Sequence, residues 1–590
     1  LKGVYKSTDA GSSWNSIALG GGVFNPFGNQ GDYDIAFGVH PTNKDMVFLG
    51  GQLELTRYTP TSGWETIAYW VGAPQNVVHA DMHGVMFNPN DPENMYVVTD
   101  GGFYRTFNCS AASPVFAEKN KNYNSTQCYG IAANYLGRVV YGTQDNGSGL
   151  LGEEVNSPLA ARDLTGGDGT RCAMSDLLPG FIFTSVVEGE LRRAADGGQN
   201  GGSFKSFFDQ NIDKGAGGGA PDGAPDEGGL WVSPIEFKEQ QVGTEIKSVF
   251  LFGGNSSVWM TQGALKGNPV WFKLFSPGGA GFSALTMSKD GKTVFAGTQG
   301  GAVYRIKVPS LWDSVYRYTD TIANMPTGAV YTYPLYGSCT AQLIASYPGR
   351  FVTDLSNGTN NGNTLVVTLA NYGNSSYIYK TTTAVDSTAP IFTDITSNLP
   401  KMPVYTSLCL GGSSTKFMIG TELGIWGTDN GGTSWSELNM MNADESTWHP
   451  RVATYELVEK DHFAYADASG GGYRNSIIYT GTHGRGTFRS TSLSLYFPTT
   501  ASFIGEHTGS ISIYPNPAVN NAVLEYESEK AARVSIKIYS LTGTLIREEW
   551  TNISSGKNQI NLNISNLAQG GYIVYLNDNG KRASTKLIKQ

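Results

Sequence analysis

The chain has 590 residues, 15% of them charged and 12% aromatic, with 75 glycines and a formal net charge of −9. That length allows several domains with sizeable cores. The negative balance without a basic stripe excludes nucleic acid as a partner. No run of about 18 or more apolar residues is present, so no transmembrane helix is expected. Apolar runs of helical period are nearly absent while glycine-punctuated runs abound, and the expected class is all-β.

In chain order, Leu1-Lys2-Gly3-Val4-Tyr5 already reads as mid-strand, with no initiator Met and no leader. The sequence is therefore expected to start inside a longer precursor. Ser7-Thr8-Asp9-Ala10-Gly11-Ser12-Ser13-Trp14 follows, with the pattern S-x-D-x-G-x-x-W. A carboxylate there can accept turn amides, glycine permits positive φ, and tryptophan covers the sheet. One phrase then recurs: an apolar strand, a Gly-rich turn, and an aromatic or basic strand. Copies are Met46-Val47-Phe48-Leu49-Gly50, Met95-Tyr96-Val97-Val98, Val139-Val140-Tyr141-Gly142, Val249-Phe250-Leu251-Phe252-Gly253, Val294-Phe295-Ala296-Gly297, Phe417-Met418-Ile419-Gly420 and Ile477-Ile478-Tyr479-Thr480-Gly481. A spacing of roughly 40 to 60 residues matches four-stranded β-propeller blades. Gly427-Thr428-Asp429-Asn430-Gly431-Gly432-Thr433-Ser434-Trp435 repeats the first turn device, read with one extra residue and with Asp429 and Trp435 in the places of Asp9 and Trp14.

These two turns resemble the Asp-boxes of BNR-type propellers: sialidases, sortilin-type receptors and xyloglucan-cleaving hydrolases. The resemblance implies a structural role for Asp9, Trp14, Asp429 and Trp435 on the outer edge of a blade. About ten blade phrases precede Phe497. They fit a tandem in which residues 1–128 are about three blades of a first propeller and 129–497 a complete seven-bladed one. The alternative is one ten-bladed ring over 1–497. The Gly/Asp/Pro-rich stretch from Gly197 to Gly229 reads as a surface insertion, and residues 498–509 as a linker.

The sharpest polar cluster is His79-Ala80-Asp81-Met82-His83. On a strand, His79, Asp81 and His83 would share one face. Two imidazoles and a carboxylate suit a divalent transition-metal ion, the one cofactor the sequence suggests, or a hydrogen-bond network in which Asp81 orients a histidine. Other polar phrases end strands: Asp100-Gly101-Gly102, Gln144-Asp145-Asn146-Gly147, Gly167-Asp168-Gly169 and His483-Gly484-Arg485. In a propeller, Gln144, Asp145, Asn146, His483 and Arg485 would gather at one mouth of the channel. Glycosidic cleavage needs two carboxylates flanking the bond, and Asp81, Asp100, Asp145 and Asp168 are the acids on offer. The xyloglucan hydrolases place a key acid in their first blades, which the tandem reading puts ahead of Leu1. Trp64, Trp70, Trp231 and Trp271 are read as sugar-stacking platforms or as blade core. The five cysteines show no CxxC spacing, so spacing indicates neither a zinc nor a redox site. An oxidising compartment would allow one or two disulfides, with Cys109 and Cys128 the nearest pair.

From Ser510 onward, Val534, Ile536, Ile538 and Ile560, Leu562, Ile564 alternate with polar residues between turns, which predicts a small antiparallel β-sandwich. Tyr514-Pro515-Asn516-Pro517, the turn with Gly543, Gly571-Tyr572-Ile573-Val574 and the basic end with Lys586 and Lys589 resemble the type A C-terminal sorting domain of the type IX secretion system. That resemblance implies export across the outer membrane of a Bacteroidota-type bacterium. It also implies partners: a translocon, a shuttle protein and a sorting peptidase. The expected protein is a secreted, cell-surface β-propeller acting as a binding or assembly platform for polysaccharide or a surface protein. The alternatives are a xyloglucanase-like glycoside hydrolase and a structural surface-layer component.

Overall fold

The computed structural model describes residues 1–19, 24–72, 76–121, 123–134, 136–152, 161–199, 203–206, 228–242, 245–266, 271–279, 281–312, 339–358, 361–439, 450–461, 476–490, 511–540, 545–578 and 581–590. Among them the protein is built almost wholly of antiparallel strands, joined by turns and two short 3-10 segments. No helix among the described residues is long and apolar enough to cross a membrane.

A two-stranded hairpin, Gly3–Lys6 with Asn15–Leu19, comes first. Eight four-stranded meanders and one three-stranded sheet follow in chain order, as blades of a β-propeller. In each, the first strand packs against its neighbour's first strand. Ala36–His40 lies on Met82–Asn88. Cys128–Ala133 lies on Gly169–Met174, then in turn come Ile235–Val242, Phe282–Met287, Val352–Gly358, Val404–Cys409 and Thr454–Asp461, and Thr454–Asp461 packs back on Cys128–Ala133.

The glycine that closes each repeated apolar phrase has a steric reason. A Cβ at Gly142 would sit 2.1 Å from the Thr170 carbonyl oxygen of the next sheet, and one at Gly420 would sit 2.5 Å from that of Thr454. Only hydrogen lets the next inner strand approach so closely. Second strands such as Thr293–Thr298 are buried along their whole length, because neighbouring sheets cover both faces. The cores therefore lie between sheets, for example Leu251, Met260, Leu285, Val294 and Ile306.

Inside the cycle of seven inner strands, charges are paired. Arg171 bonds Glu456, and Lys460 bonds Asp176 at 2.8 Å. Asp354 accepts from the Ser407 amide at 2.7 Å.

The two tryptophan turns correct one sequence assignment. Asp9 accepts from the Ser13 amide at 2.8 Å and from the Ser13 and Ser7 hydroxyls, which hold its carboxyl at about 2. In the second turn Asn430, not Asp429, fills this place. Its Oδ1 accepts from the Ser434 amide at 3.0 Å and from the Thr428 hydroxyl at 2.8 Å. Thr428-x-Asn430-x-Gly432-x-Ser434-Trp435 thus matches the first turn without an extra residue. Trp435 is buried and donates from Nε1 to the Ile395 carbonyl at 2.7 Å, whereas Trp14 is 62% exposed.

The disulfides that an oxidising compartment would allow are not formed. All five cysteines are free, and Cys109, Cys128, Cys172 and Cys409 are buried as small apolar groups.

The tail forms two sheets, one of three strands and one of four, around its own core of Leu524, Val534, Ile536, Ile538, Leu562, Val574 and Leu587. The Asn516 side chain accepts from the Ile588 amide at 2.8 Å, and Ala518 bridges to Lys589. The Tyr514-Pro515-Asn516-Pro517 segment and the basic end therefore lie side by side. Gly571 and Lys586 fall on the paired strands Gly570–Asp578 and Lys581–Lys589. Gly543, the linker 498–509 and most of the Gly197 to Gly229 insertion lie outside the described residues.

Candidate functional site

The chain ends of the first two four-stranded sheets meet the first sheet of the seven-strand cycle, and aspartates converge there. Asp34 precedes the strand Ala36–His40, Asp81 precedes Met82–Asn88, and Asp100 lies in the turn after Asp91–Thr99. Asp145 lies in the turn between Val139–Thr143 and Gly147–Leu151, and Asp168 immediately precedes Gly169–Met174. Asp81, Asp100 and Asp145 each place one carboxylate oxygen within 4.8 Å of the others. The Asp145 amide donates to Asp168 Oδ1 at 2.8 Å.

Asp81 and Asp145 both adopt left-handed backbone conformations, φ 57° and 61°. Such strain in a non-glycine residue persists only where the surroundings fix it. Here they do. The Asp81 amide donates to the Gln52 carbonyl at 2.8 Å and the Asp100 amide to the Asp81 carbonyl at 3.1 Å. His79 Nε2 lies 3.1 Å from the Asp145 carbonyl, and the Asn146 side chain donates to the Asp100 carbonyl at 3.0 Å.

This backbone changes the sequence expectation for His79, Asp81 and His83. The left-handed turn at Asp81 breaks the period-two alternation, and only His83 lies on the strand. His79 reaches Asp145, Asp81 accepts from Gln30 at 3.0 Å, and His83 Nε2 meets Asp100 Oδ1 at 2.6 Å. Instead of one coordinating set, each of the three joins a different partner. The oxygen-only trio of Asp81, Asp100 and Asp145 is the donor set that suits a hard divalent cation.

Sequence reasoning missed Asp34, Tyr33 and Gln30. Gln30 donates to Asp34 at 2.7 Å, and the Tyr33 hydroxyl donates to Asp100 at 3.1 Å with its ring edge-on to His83. The run Gln30-Gly31-Asp32-Tyr33-Asp34 ahead of a strand was the available signal. Asp34 has no exposed surface, and its Oδ1 has no hydrogen-bond donor. Burial, then the neighbouring Asp81, pushes its carboxyl up to about 6. Burial, then the charges of Asp100, Asp168 and Asp81, pushes Asp145 up to about 7.

Beside the acids runs a belt of rings. Trp231 meets Tyr129 edge-on at 5.1 Å, Tyr129 meets His483 at 5.1 Å, His483 stacks on Tyr455 at 4.6 Å, and Tyr455 on Tyr405 at 4.3 Å. Tyr129 donates to Gln144 at 3.1 Å, which ties the belt to the Asp145 turn. Burial pushes the His483 imidazole down. Arg485 donates to the Asn124 carbonyl at 3.3 Å. Of the four tryptophans singled out in the sequence, Trp271 is core, Trp231 and Trp70 are 39% and 45% exposed, and Trp64 packs on Phe24 and Tyr58.

No curated protein matches the chain. Among solved structures, it resembles a GH74 enzyme of Niastella koreensis at 13% identity and TM-score 0.44, over 83% of this chain and 63% of that one. It also resembles the extracellular domain of a hybrid two component system from B. thetaiotaomicron at 11% identity and TM-score 0.37, over 94% of this chain and 68% of that one. The β-propeller domain of Myceliophteria thermophila Cps50 follows at 8% identity and TM-score 0.33, covering 57% and 92%. Residues 512–590 match the secretion system C-terminal sorting domain, and this tail marks the chain for export by type IX secretion to the cell surface or outer membrane.

Proposed function

We propose that the exported chain is a surface binding platform and that its ligand, a polysaccharide, lies along the aromatic belt with its hydroxyls toward Asp145 and Asp168. The carrying observation is the continuous run from Trp231 through Tyr129, His483 and Tyr455 to Tyr405, joined by Gln144 to the aspartates. Trp231, 39% exposed and in edge-on contact with Tyr129, offers a ring face to a sugar, and the carboxylates accept sugar hydroxyls. The return of Thr454–Asp461 to Cys128–Ala133 supports a seven-bladed ring over 129–497, with 1–128 belonging to another, over a single ring of ten. The Asp-box reading of the two tryptophan turns rests on their shared hydrogen-bond pattern.

The test is affinity electrophoresis and calorimetry of the full chain against a panel of plant and microbial polysaccharides. Binding by the parent, weakened at least about tenfold in Trp231→Ala, is the expected result. No retention on any polysaccharide, or equal retention by that variant, would overturn the reading, and capture of a surface protein in its place would favour assembly. A second reading, glycoside hydrolysis, draws on one observation. Asp145, pushed up to about 7 by burial and then by Asp100, keeps its proton in about half of the molecules at neutral pH, within reach of general-acid work. Against it, the oxygens of the trio lie within 4.8 Å, closer than the separation of about 5 to 10 Å that glycosidases use. Release of reducing ends by the parent and its loss in Asp145→Asn would decide for hydrolysis.

Export has its own test. Deleting residues 586–590 removes half of the surface formed with Asn516, and fractionation should then find the protein retained in the periplasm. Normal appearance outside the cell would refute the tail's role.

A further inference from the structure

At the opposite end of the first two four-stranded sheets, three side chains of different chemistry converge. His40 ends the strand Ala36–His40, Glu93 lies near the start of Asp91–Thr99, and Cys109 follows Gly102–Thr106. His40 Nδ1 or Nε2, a Glu93 carboxylate oxygen and Cys109 Sγ all lie within 4.8 Å of one another. His40 Nε2 is 3.9 Å from Glu93 Oε1, and Cys109 Sγ is 3.9 Å from Glu93 Oε2.

The imidazole carries the argument. His40 is 5% exposed, and its Nε2 is buried with no hydrogen-bond partner. A buried ring nitrogen left unmatched is costly unless something satisfies it. The Thr42 amide donates to its other nitrogen, Nδ1, at 3.4 Å, and the Thr42 hydroxyl lies at the same distance. With the ring proton on Nδ1, the long amide bond is given up, the hydroxyl accepts a hydrogen bond from Nδ1, and the Nε2 lone pair is free for an ion. The ring is braced edge-on against Phe87. Cys109 has no exposed surface, so the sulfur is held in place, while the half-exposed Glu93 carboxylate leaves the group open to solvent on one side.

We propose that His40, Glu93 and Cys109 form a binding site for a thiophilic divalent cation of the zinc class, unrelated to the aspartate cluster at the other end. Nitrogen, sulfur and carboxylate oxygen are the donors such ions take, and the fourth position would be filled by water. Tetrahedral bonds of about 2.0–2.3 Å put donors about 3.3–3.6 Å apart, so the two 3.9 Å separations from Glu93 need to close by about half an ångström, and the His40-to-Cys109 one, within 4.8 Å, by up to about 1.3 Å. Charge also balances. The divalent ion binds one carboxylate and one thiolate, and the thiol proton leaves to solvent as the sulfur coordinates. Without an ion, burial and the Glu93 charge push the Cys109 thiol up to about 12, so it stays protonated. The adjacent Arg57 is matched by Glu65 at 3.0 Å, and Glu93 Oε2 accepts from the Ser110 amide at 2.9 Å, which leaves Oε1 toward His40.

Cobalt(II) is the probe, added to the chelator-stripped full chain and then displaced by zinc(II). One equivalent should give a thiolate-to-cobalt charge-transfer band with tetrahedral visible bands, and zinc should abolish both. Cys109→Ser should lose the charge-transfer band, and Glu93→Gln should weaken cobalt binding at least about tenfold. Cobalt bound without a thiolate band, as at the aspartates, would overturn the proposal. So would no binding by the folded parent, or a band unchanged in Cys109→Ser. Should Cys109→Ser fail to fold, alkylation of the parent under mild denaturant decides. Zinc should slow modification of Cys109 at least about tenfold while leaving Cys339 unchanged, and equal rates with and without zinc would overturn the assignment.

Discussion

The sheets that begin at Ala36 and Met82 carry a polar cluster at each end, and the two clusters are built differently. At the aspartate end, Asp34, Asp81, Asp100, Asp145 and Asp168 meet with no lysine or arginine among the described residues bonded to them. Neutral donors and an imidazole meet part of their demand, and burial, then the neighbouring carboxylates, raises Asp34 and Asp145. At the His40 end a buried cation is already in place. Arg57, 3% exposed, bonds Glu65 and the carbonyls of Cys109 and Ala111. The contrast separates two ways of holding charge. Fixed pairing with Arg57 builds architecture, whereas unpaired like charges store a demand that protons, hydroxyls or cations can meet.

That contrast can be broken at its strongest point first. Arg57→Ala would leave Glu65 and two carbonyls without their partner. It should cost about 3–5 kcal/mol, read as a fall in urea midpoint at unchanged m. A loss below about 1 kcal/mol would mean that the pair is not architectural. At the other end, Asp100→Ala strands His83 and the Tyr33 hydroxyl, both less buried, and should cost about 1–3 kcal/mol in the same assay.

The smallest effect tests the burial and like-charge crowding of these acids together. Asp34 at about 6 and Asp145 at about 7 lie above their ordinary 3.8, so the folded chain binds more protons than the unfolded one between these values. Their contribution is favourable at low pH and is lost as pH rises from about 4 to about 7. Asp34→Asn and Asp145→Asn should each flatten that decline in a thermal-midpoint series, and an unchanged slope would show that the acids are not crowded in solution.

Much of the fold was legible because blade strands are local. An apolar run ending in glycine names a second strand and its close neighbour at once, as Val139 to Gly142 and Phe417 to Gly420 do. The tail was legible for the same reason, through the alternation of Val534, Ile536 and Ile538. The clusters were less so. Asp81, Asp100, Asp145 and Asp168 stood out as strand-end acids, but their meeting depends on which turns the sheets bring together. The face shared by His79 and His83 failed at one residue, since nothing in the letters marks Asp81 as left-handed. Asp429 drew the eye as an acid, although Asn430 offers the same carbonyl oxygen to Ser434. His40, Glu93 and Cys109 come from three separate segments, and no spacing rule joins them.

The clamp between Asn516 and Ile588, with Ala518 bridged to Lys589, has a consequence for how the tail is read. The two signature segments sit at opposite ends of the tail and become neighbours only when the sandwich has formed. The signature is therefore an epitope of the folded state, and an unfolded or clipped tail spells the same letters without presenting them together. A receptor that grips both segments at once would act as a proofreader, passing finished tails and ignoring unfinished ones.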